Sequence, residues 1–367
     1  MVISNPDALR PPAEAVYADE LARLAATDRG PRPAGWVLSP KAVRRFLIGD
    51  AGSGITRKYY GDDALVERAI VDLMGDQGLM LVGEPGTAKS MLSELLAAAI
   101  SGRSNLVVQG SAGTTEDHVR YGWNYALLLA EGPSEKALVA SPVLEAMRTG
   151  RIVRLEEITR CPPEIQDTLI SIVSEKVIAI PELGEDRAVF ARPGFNLIAT
   201  ANLRDRGVHE MSSALKRRFN FETVPPINDP TLERELISRQ LEGRLDRAGV
   251  QAQMPEDVLD LLVATFQDLR SGRTRDGAPV PKPDAVMSTA EAVNVAHAAA
   301  LDAVYFGDGR VGGGHVARQL GGVVLKDNAE DVRKLRAYVD HVVKERSRRS
   351  KAWSEMLAEL KAHKSVV

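Results

Sequence analysis

Residues 79–91 read LMLVGEPGTAKSM. An apolar run ends at Val82, glycines follow at 83 and 86, and Lys89–Ser90 opens the helical pattern SMLSELLAAAI. Strand, turn of bare amides, then helix is the order a phosphate-gripping loop needs. Converging N–H groups and the positive end of the helix dipole hold the anion. The outline is GxxxxGK[ST], with Ala88 in place of the last glycine. Ala88 falls at the first turn of the helix, where φ is expected to be negative and a methyl group costs little. The expected nucleotide contacts are therefore Gly83, Glu84, Pro85, Gly86, Thr87, Ala88, Lys89, Ser90 and Met91. Lys89 would reach the β- and γ-phosphates, and the Ser90 hydroxyl would ligate magnesium.

Outward from this loop, further short apolar runs follow: NLVVQG from Asn105, RIVRLEE from Arg151, FNLIAT from Phe195 and FNFETV from Phe219. Such runs resemble parallel strands buried on both faces. Helical patterns such as PPEIQDTLISIVSE separate most of them, so the chain reads as a doubly wound α/β layer with five parallel strands. After VPPINDP the pattern changes to helices alone, with TLERELISRQLEGRL, PEDVLDLLVATFQDLR, STAEAVNVAHAAALDAVYF and NAEDVRKLRAYVDHVVKER in succession. The expected organisation is a partly helical N-terminal extension over 1–58, an α/β core over 59–227 and an all-helical region over 228–367. By composition, SGRTRDGAPVPKPDA and the glycine-rich VGGGHVARQLGG read as loops.

A phosphate loop says only that nucleotide binds; hydrolysis needs more parts. Glu156 and Glu157 follow an apolar strand, at the edge where α/β sheets take their ligands. Two carboxylates there can divide the work, Glu156 holding the magnesium shell and Glu157 polarising the attacking water. Asn202, beyond another strand, is placed to orient that water or touch the γ-phosphate. Its alternative role is to cap a loop. Arg217 and Arg218 end the segment SSALKRR and suit either catalysis or a helix C-terminus.

Composition narrows the class. Of 367 residues, 44% are hydrophobic and 26% charged, a globular balance. A net charge of -3 argues against a protein built to neutralise nucleic-acid phosphates. The single cysteine, Cys161, forms no disulfide within the chain, and a reducing cytoplasmic setting is expected. The N-terminal stretch lacks the apolar core of a signal peptide, and no apolar run approaches the roughly 20 residues of a membrane span.

Taken together and in this order, the motifs resemble the AAA+ ATPases, and among them the MoxR group, over about residues 60–300. GEPGTAKS is similar to Walker A, RIVRLEEITRCPPEIQ to Walker B with its following helix, FNLIATAN to sensor 1 and SALKRRF to the arginine-finger segment. The resemblance implies an αβα core with a helical lid, and a ring, usually hexameric, with ATP and Mg2+ bound between neighbours. Arg218 best matches the finger that enters the next subunit's site, with Arg217 second. The group also carries an inserted segment, expected here near 114–140, and a hairpin, expected near 175–194. Tyr121, Trp123 and Tyr125 are then either exposed contact residues or packing for the insert.

The chain departs from the pattern at several positions. Glu156 stands where Asp is usual, Thr159 replaces a frequent Asn, and Arg154 interrupts an apolar strand, where a buried charge needs a partner. Ala290 and Glu291 occupy the start of the helix that normally offers a sensor 2 arginine, and Arg273, Arg275 or Arg318 could replace it. The function implied is ATP-driven, chaperone-like remodelling of a protein partner, typically one with a von Willebrand factor A domain. One alternative is a nucleic-acid motor or restriction-type NTPase, supported by the basic run KERSRRSK, which otherwise ends a solvated helix. Another is an ATP-binding scaffold with weak hydrolysis.

Overall fold

In the computed structural model, residues 8–184, 186–202, 208–324 and 328–362 are described. The chain divides into two compact units. The first runs to Glu84 and resumes over Ala88–Pro225; the second holds Pro85–Thr87 and the chain from Pro226 onward. Among the described residues the strands are, in chain order, β1 (Gly78–Val82), β2 (Val107–Gln109), β3 (Tyr121–Trp123), β4 (Leu138–Ala140) and β5 (Ile152–Glu156). They continue with β6 (Val177–Ala179), β7 (Ala188–Phe190), β8 (Asn196–Ala201) and β9 (Phe219–Thr223).

Five of these form one parallel sheet in the order β2-β5-β8-β1-β9. They are the five apolar runs of the sequence. The three inner strands are buried along their whole length, whereas β2 and β9 at the edges mix buried and exposed positions. Alternating side chains then feed two cores. Leu79 and Leu81 of β1 join Leu65, Ile70, Leu92 and Leu96 on one face. Met80 and Val82 join Val143, Met147, Leu169 and Ile172 on the other. Helices Asp63–Met74 and Lys89–Ser101 thus cover one face, and Pro142–Thr149 and Pro163–Glu175 the other, which makes an αβα sandwich.

Residues 8–58 do not stand apart. Leu24, Trp36, Leu38, Phe46 and Leu47 lie in the same buried cluster as Leu79 and Leu92. Helix Pro40–Ile48 begins at Ser39, whose side chain accepts from the Ala42 amide, while Asp28 accepts from both the amide and the hydroxyl of Ser39. Lys58 is buried against the rings of Tyr17 and Phe46 and donates to Glu20 at 2.6 Å.

The two inserts form hairpins, β3 with β4 and β6 with β7, both antiparallel. Tyr121 and Trp123 pack edge to face at 6.0 Å against the adjoining core, and the Tyr121 hydroxyl donates to Glu182. Tyr125 alone of the three aromatics is broadly exposed, at 70%.

The second unit is helical, with Pro230–Ala248, Glu256–Ser271, Thr289–Phe306, Gly313–Val324, Ala329–Tyr338 and Lys351–Ala362 around one core. A π turn, Val339–Val343, extends the fifth of these. Ser288 and Glu291 form a capping box, so the sequence at that helix start is explained by its own N-terminus. Glycine content misleads at one place: VGGGHVARQLGG, expected to be a loop, supplies the helix Gly313–Val324. A Cβ at Gly313 would lie 1.9 Å from the Ala352 carbonyl oxygen, so glycine there allows close approach of helix Lys351–Ala362. The opposite requirement, bulk, is met by the buried Val316 and Leu320.

Candidate nucleotide site

The loop after β1 leads into helix Lys89–Ser101 as expected, but through a different backbone at Ala88. Ala88 has φ +66° and ψ 21°, a left-handed conformation, not the negative φ anticipated for a first helical residue. It is the N-cap, not the first turn, and the chain swings from loop to helix through it. A residue with a Cβ costs roughly 1–2 kcal/mol in that region, so the methyl group is tolerated at a cost. Gly86 is also left-handed, at φ +76°. Lys89 is buried, and its Nζ donates to the carbonyls of Gly83 at 3.0 Å and Glu84 at 2.8 Å.

One turn along this helix, Ser90 and Ser93 share a face and meet Glu156 at the end of β5. The Ser90 hydroxyl donates to Glu156 Oε2 at 2.6 Å and Ser93 Oγ lies 2.7 Å from Oε1. Thr200 of β8 adds its hydroxyl to Oε2 at 2.8 Å. The fourth partner is Arg154, two residues earlier and so on the same face of β5, with Nη2 2.7 Å from Oε1. Arg154 also donates to Ser93 Oγ, to the Ser104 carbonyl and to the Ser90 carbonyl. The two departures from the family pattern on this strand are thus partners of each other. Burial pushes the Glu156 carboxyl up, but the Ser90 bond, the Arg154 charge and the Ser93 and Thr200 bonds outweigh it and hold the group below its ordinary range.

The adjacent carboxylates separate at once. Glu157 takes φ +57° and ψ 45°, turning the chain out of the strand. Its side chain is 26% exposed where that of Glu156 is 6% exposed. Asn202 Nδ2 donates to Glu157 Oε1 at 2.7 Å, and Arg160 lies 3.3 Å from Oε2. Asn202 is itself buried, and its Oδ1 has no hydrogen-bond partner among the described residues. The Thr200 hydroxyl also accepts from the Glu157 amide, so it ties the Glu156 carboxylate and the Glu157 backbone to β8. Gly110, just past β2, makes the close fit possible: a Cβ there would sit 2.3 Å from the Glu157 carbonyl oxygen.

Chains of known sequence bear on this arrangement. A family model described as AAA domain (dynein-related subfamily) matches residues 78–219, and one described as YehL-like AAA+ ATPase C-terminal domain matches residues 231–365. The Escherichia coli (strain K12) protein YehL is 51% identical over 335 residues, which cover 91% of this chain and 92% of that protein. The chain belongs to the YehL-like AAA+ ATPases. An uncharacterized protein of Staphylococcus aureus (strain USA300) is 31% identical over 189 residues, 50% of this chain and 70% of its own length. Among solved structures, Brucella abortus NtrX in complex with ADP superposes with a TM-score of 0.50 at 13% identity, over 82% of this chain and 67% of that one, a likeness of fold.

In this AAA+ ATPase the remaining predicted residues lie elsewhere. The loop after β1, Glu157 after β5 and Asn202 after β8 all occupy the carboxyl edge of the parallel sheet. Arg217 and Arg218 precede β9 and therefore sit at the amino edge. Arg218 is half-buried and held by Ser174 at 2.8 Å and the Ala214 carbonyl at 3.1 Å. The Arg217 side chain is exposed. In the second unit Arg318 is engaged with Asp302 and Glu359, while Arg273 and Arg275 are exposed. Arg346 of the basic run is not a solvated charge: it pairs with Asp268 at 2.8 Å and lies over the Trp353 ring.

Sequence reasoning passed over Ser93, Thr200 and Gly110. Ser93 was detectable as the residue one turn after Ser90; Thr200 and Gly110 carry no motif signal, because β5 and its neighbours alone bring them to the carboxylates. Among the described residues, no cluster of three or more His, Cys, Asp or Glu could hold a metal ion, and no helix is long and apolar enough to cross a membrane.

Proposed function

We propose that this protein binds ATP with Mg2+ at the carboxyl edge of its sheet and hydrolyses it within a homo-oligomeric, six-membered ring. The observation that carries this is two bonded pairs beside the Lys89 loop, Ser90 with Glu156 and Asn202 with Glu157, joined through the Thr200 hydroxyl. A hydroxyl and a carboxylate 2.6 Å apart form a hard oxygen pair that fits magnesium, which needs few protein ligands when phosphates supply the rest. Ser90 would ligate it and Glu156, saturated with protein donors, would hold its water shell. An ion held by these residues would supply positive charge to offset that developing on the phosphate oxygens. Glu157 accepts the proton of the attacking water, and Asn202, with Nδ2 on Glu157 and Oδ1 open as an acceptor, orients both. Lys89 exchanges its loop carbonyls for phosphate oxygens.

Arg217 or Arg218 of a neighbouring copy would complete the site, since both lie at the far edge of their own sheet. We infer further that the ring carries out MoxR-like, chaperone-like remodelling of a protein partner bearing a von Willebrand factor A domain, in the cytoplasm. Lys89→Ala should abolish ATP binding; undiminished affinity would remove the phosphate-loop assignment. Glu157→Gln should bind ATP as tightly as the parent and lose turnover by about 100-fold or more. Full turnover would place the base elsewhere, and the proteins retained by the trapped variant identify the partner.

A further inference from the structure

We propose that Arg154 is a positioning residue, and that Arg154 and Glu156 work as one unit that does for Mg2+·ATP what a single Asp does in the family pattern. This rests on the nucleotide reading above. Arg154 and Glu156 are 7% and 5% exposed, on the same face of β5, with 2.7 Å between Nη2 and Oε1. The extra methylene of Glu156 is what carries its carboxylate to Arg154 and to the hydroxyls of Ser90, Ser93 and Thr200 at once. Shortening the side chain withdraws the carboxylate by roughly 1.5 Å, one carbon–carbon bond. It then cannot keep all four partners. Arg154 in turn bridges the carboxylate to the Ser90 and Ser104 carbonyls, so it fixes the carboxylate against the backbone of the helix that presents Ser90. Removing one partner leaves the other charge buried without it, which is strongly unfavourable for a stranded guanidinium, whereas a carboxylate beside an apolar residue 154 still has hydroxyls of Ser90, Ser93 and Thr200 within its surroundings.

A consequence opposes ordinary conservatism. Glu156→Asp, which installs the residue usual in the family, should be harmful while Arg154 is present and acceptable once Arg154 is apolar. The test is a double-mutant cycle of the full-length protein with Glu156→Asp, Arg154→Val and both together, read by metal-free thermal midpoint and by affinity for a fluorescent ATP analogue with and without Mg2+. Each single variant should lose about 10-fold or more of the Mg2+-dependent gain in affinity, the scale set by partners of metal-ligating groups. The double variant should recover to within about threefold of the parent and lose less in thermal midpoint than the two single variants together. Where a single variant is insoluble, a soluble double variant with the Mg2+ response restored supports the pairing equally. A Glu156→Asp variant that matches the parent, or a double variant whose losses add or which lacks the Mg2+ response, overturns it. Lys89→Ala in parallel separates the two readings: if that variant binds the analogue like the parent, the nucleotide site itself is misassigned.

Discussion

The placement of the arginines makes a quantitative prediction about mixed assemblies. β9 has five residues between Arg218 and the carboxyl edge, a run of about 17 Å at roughly 3.4 Å per residue. Neither arginine reaches across that length to the Glu157 of its own chain, so a finger can act only on a neighbour. A head-to-tail ring presents each arginine segment to one adjoining site. The variant Arg217→Ala/Arg218→Ala should lose about 10³-fold or more in turnover, and Glu157→Gln should be inactive for a different reason. Assembled together in equal amounts, half the sites retain Glu157, and half of those face a neighbour with both arginines. About one quarter of sites become competent, so a steady-state phosphate-release assay of the mixture should return roughly a quarter of the parent rate per site. No recovery on mixing, or a doubly substituted variant that hydrolyses alone, would refute the argument from strand direction. The single variants then apportion the role. Arg217→Ala, exposed, should leave the thermal midpoint unchanged, whereas Arg218→Ala forfeits its bonds to Ser174 and Ala214 and should lower it.

Three further outcomes follow from local structure. Ala88→Gly relieves a left-handed alanine worth about 1–2 kcal/mol and returns about 0.4–1 kcal/mol through the freer unfolded chain, so a net gain near 0.5–1 kcal/mol should raise the melting temperature by about 1–2 °C; a fall would contradict the backbone at that residue. Gly313→Ala drives a methyl group into the Ala352 carbonyl and should destabilise the helical unit by about 1–3 kcal/mol in denaturant titration, with an unchanged midpoint excluding the tight helix crossing. At Glu20, burial raises the carboxyl, but its bonds to Lys58 and Thr56 and the Lys58 charge bring it below the usual 4.5. Its folded value is the depressed one, so its stabilisation is complete above pH 4.5 and is lost as pH falls through the folded value. Acid unfolding of Glu20→Gln should accordingly be less steep in that window than that of the parent, and identical curves would exclude the contribution.

The sequence by itself determined the sheet. Runs such as GLMLV and NLIATA are apolar at every position because inner parallel strands are covered on both faces, and burial of that kind is written residue by residue. It also placed the candidate side chains at one edge, since Lys89, Ser90, Glu157 and Asn202 come after strands of one direction and Glu156 ends such a strand. Only the tertiary structure decided what those side chains do to one another. Arg154 reads as an intrusion in an apolar strand until Glu156, two positions on, is seen to share its face and Ser93 and Ser104 to close around it. The left-handed backbone of Ala88 and Glu157 was hidden for a related reason: propensity assigns such φ values to glycine, and only surrounding contacts hold other residues there. The glycines of VGGGHVARQLGG suggest a loop locally, yet form a helix because a neighbouring backbone lies where a side chain would otherwise be. Local pattern records what each residue must be buried from; it does not record which distant residue will be there to meet it.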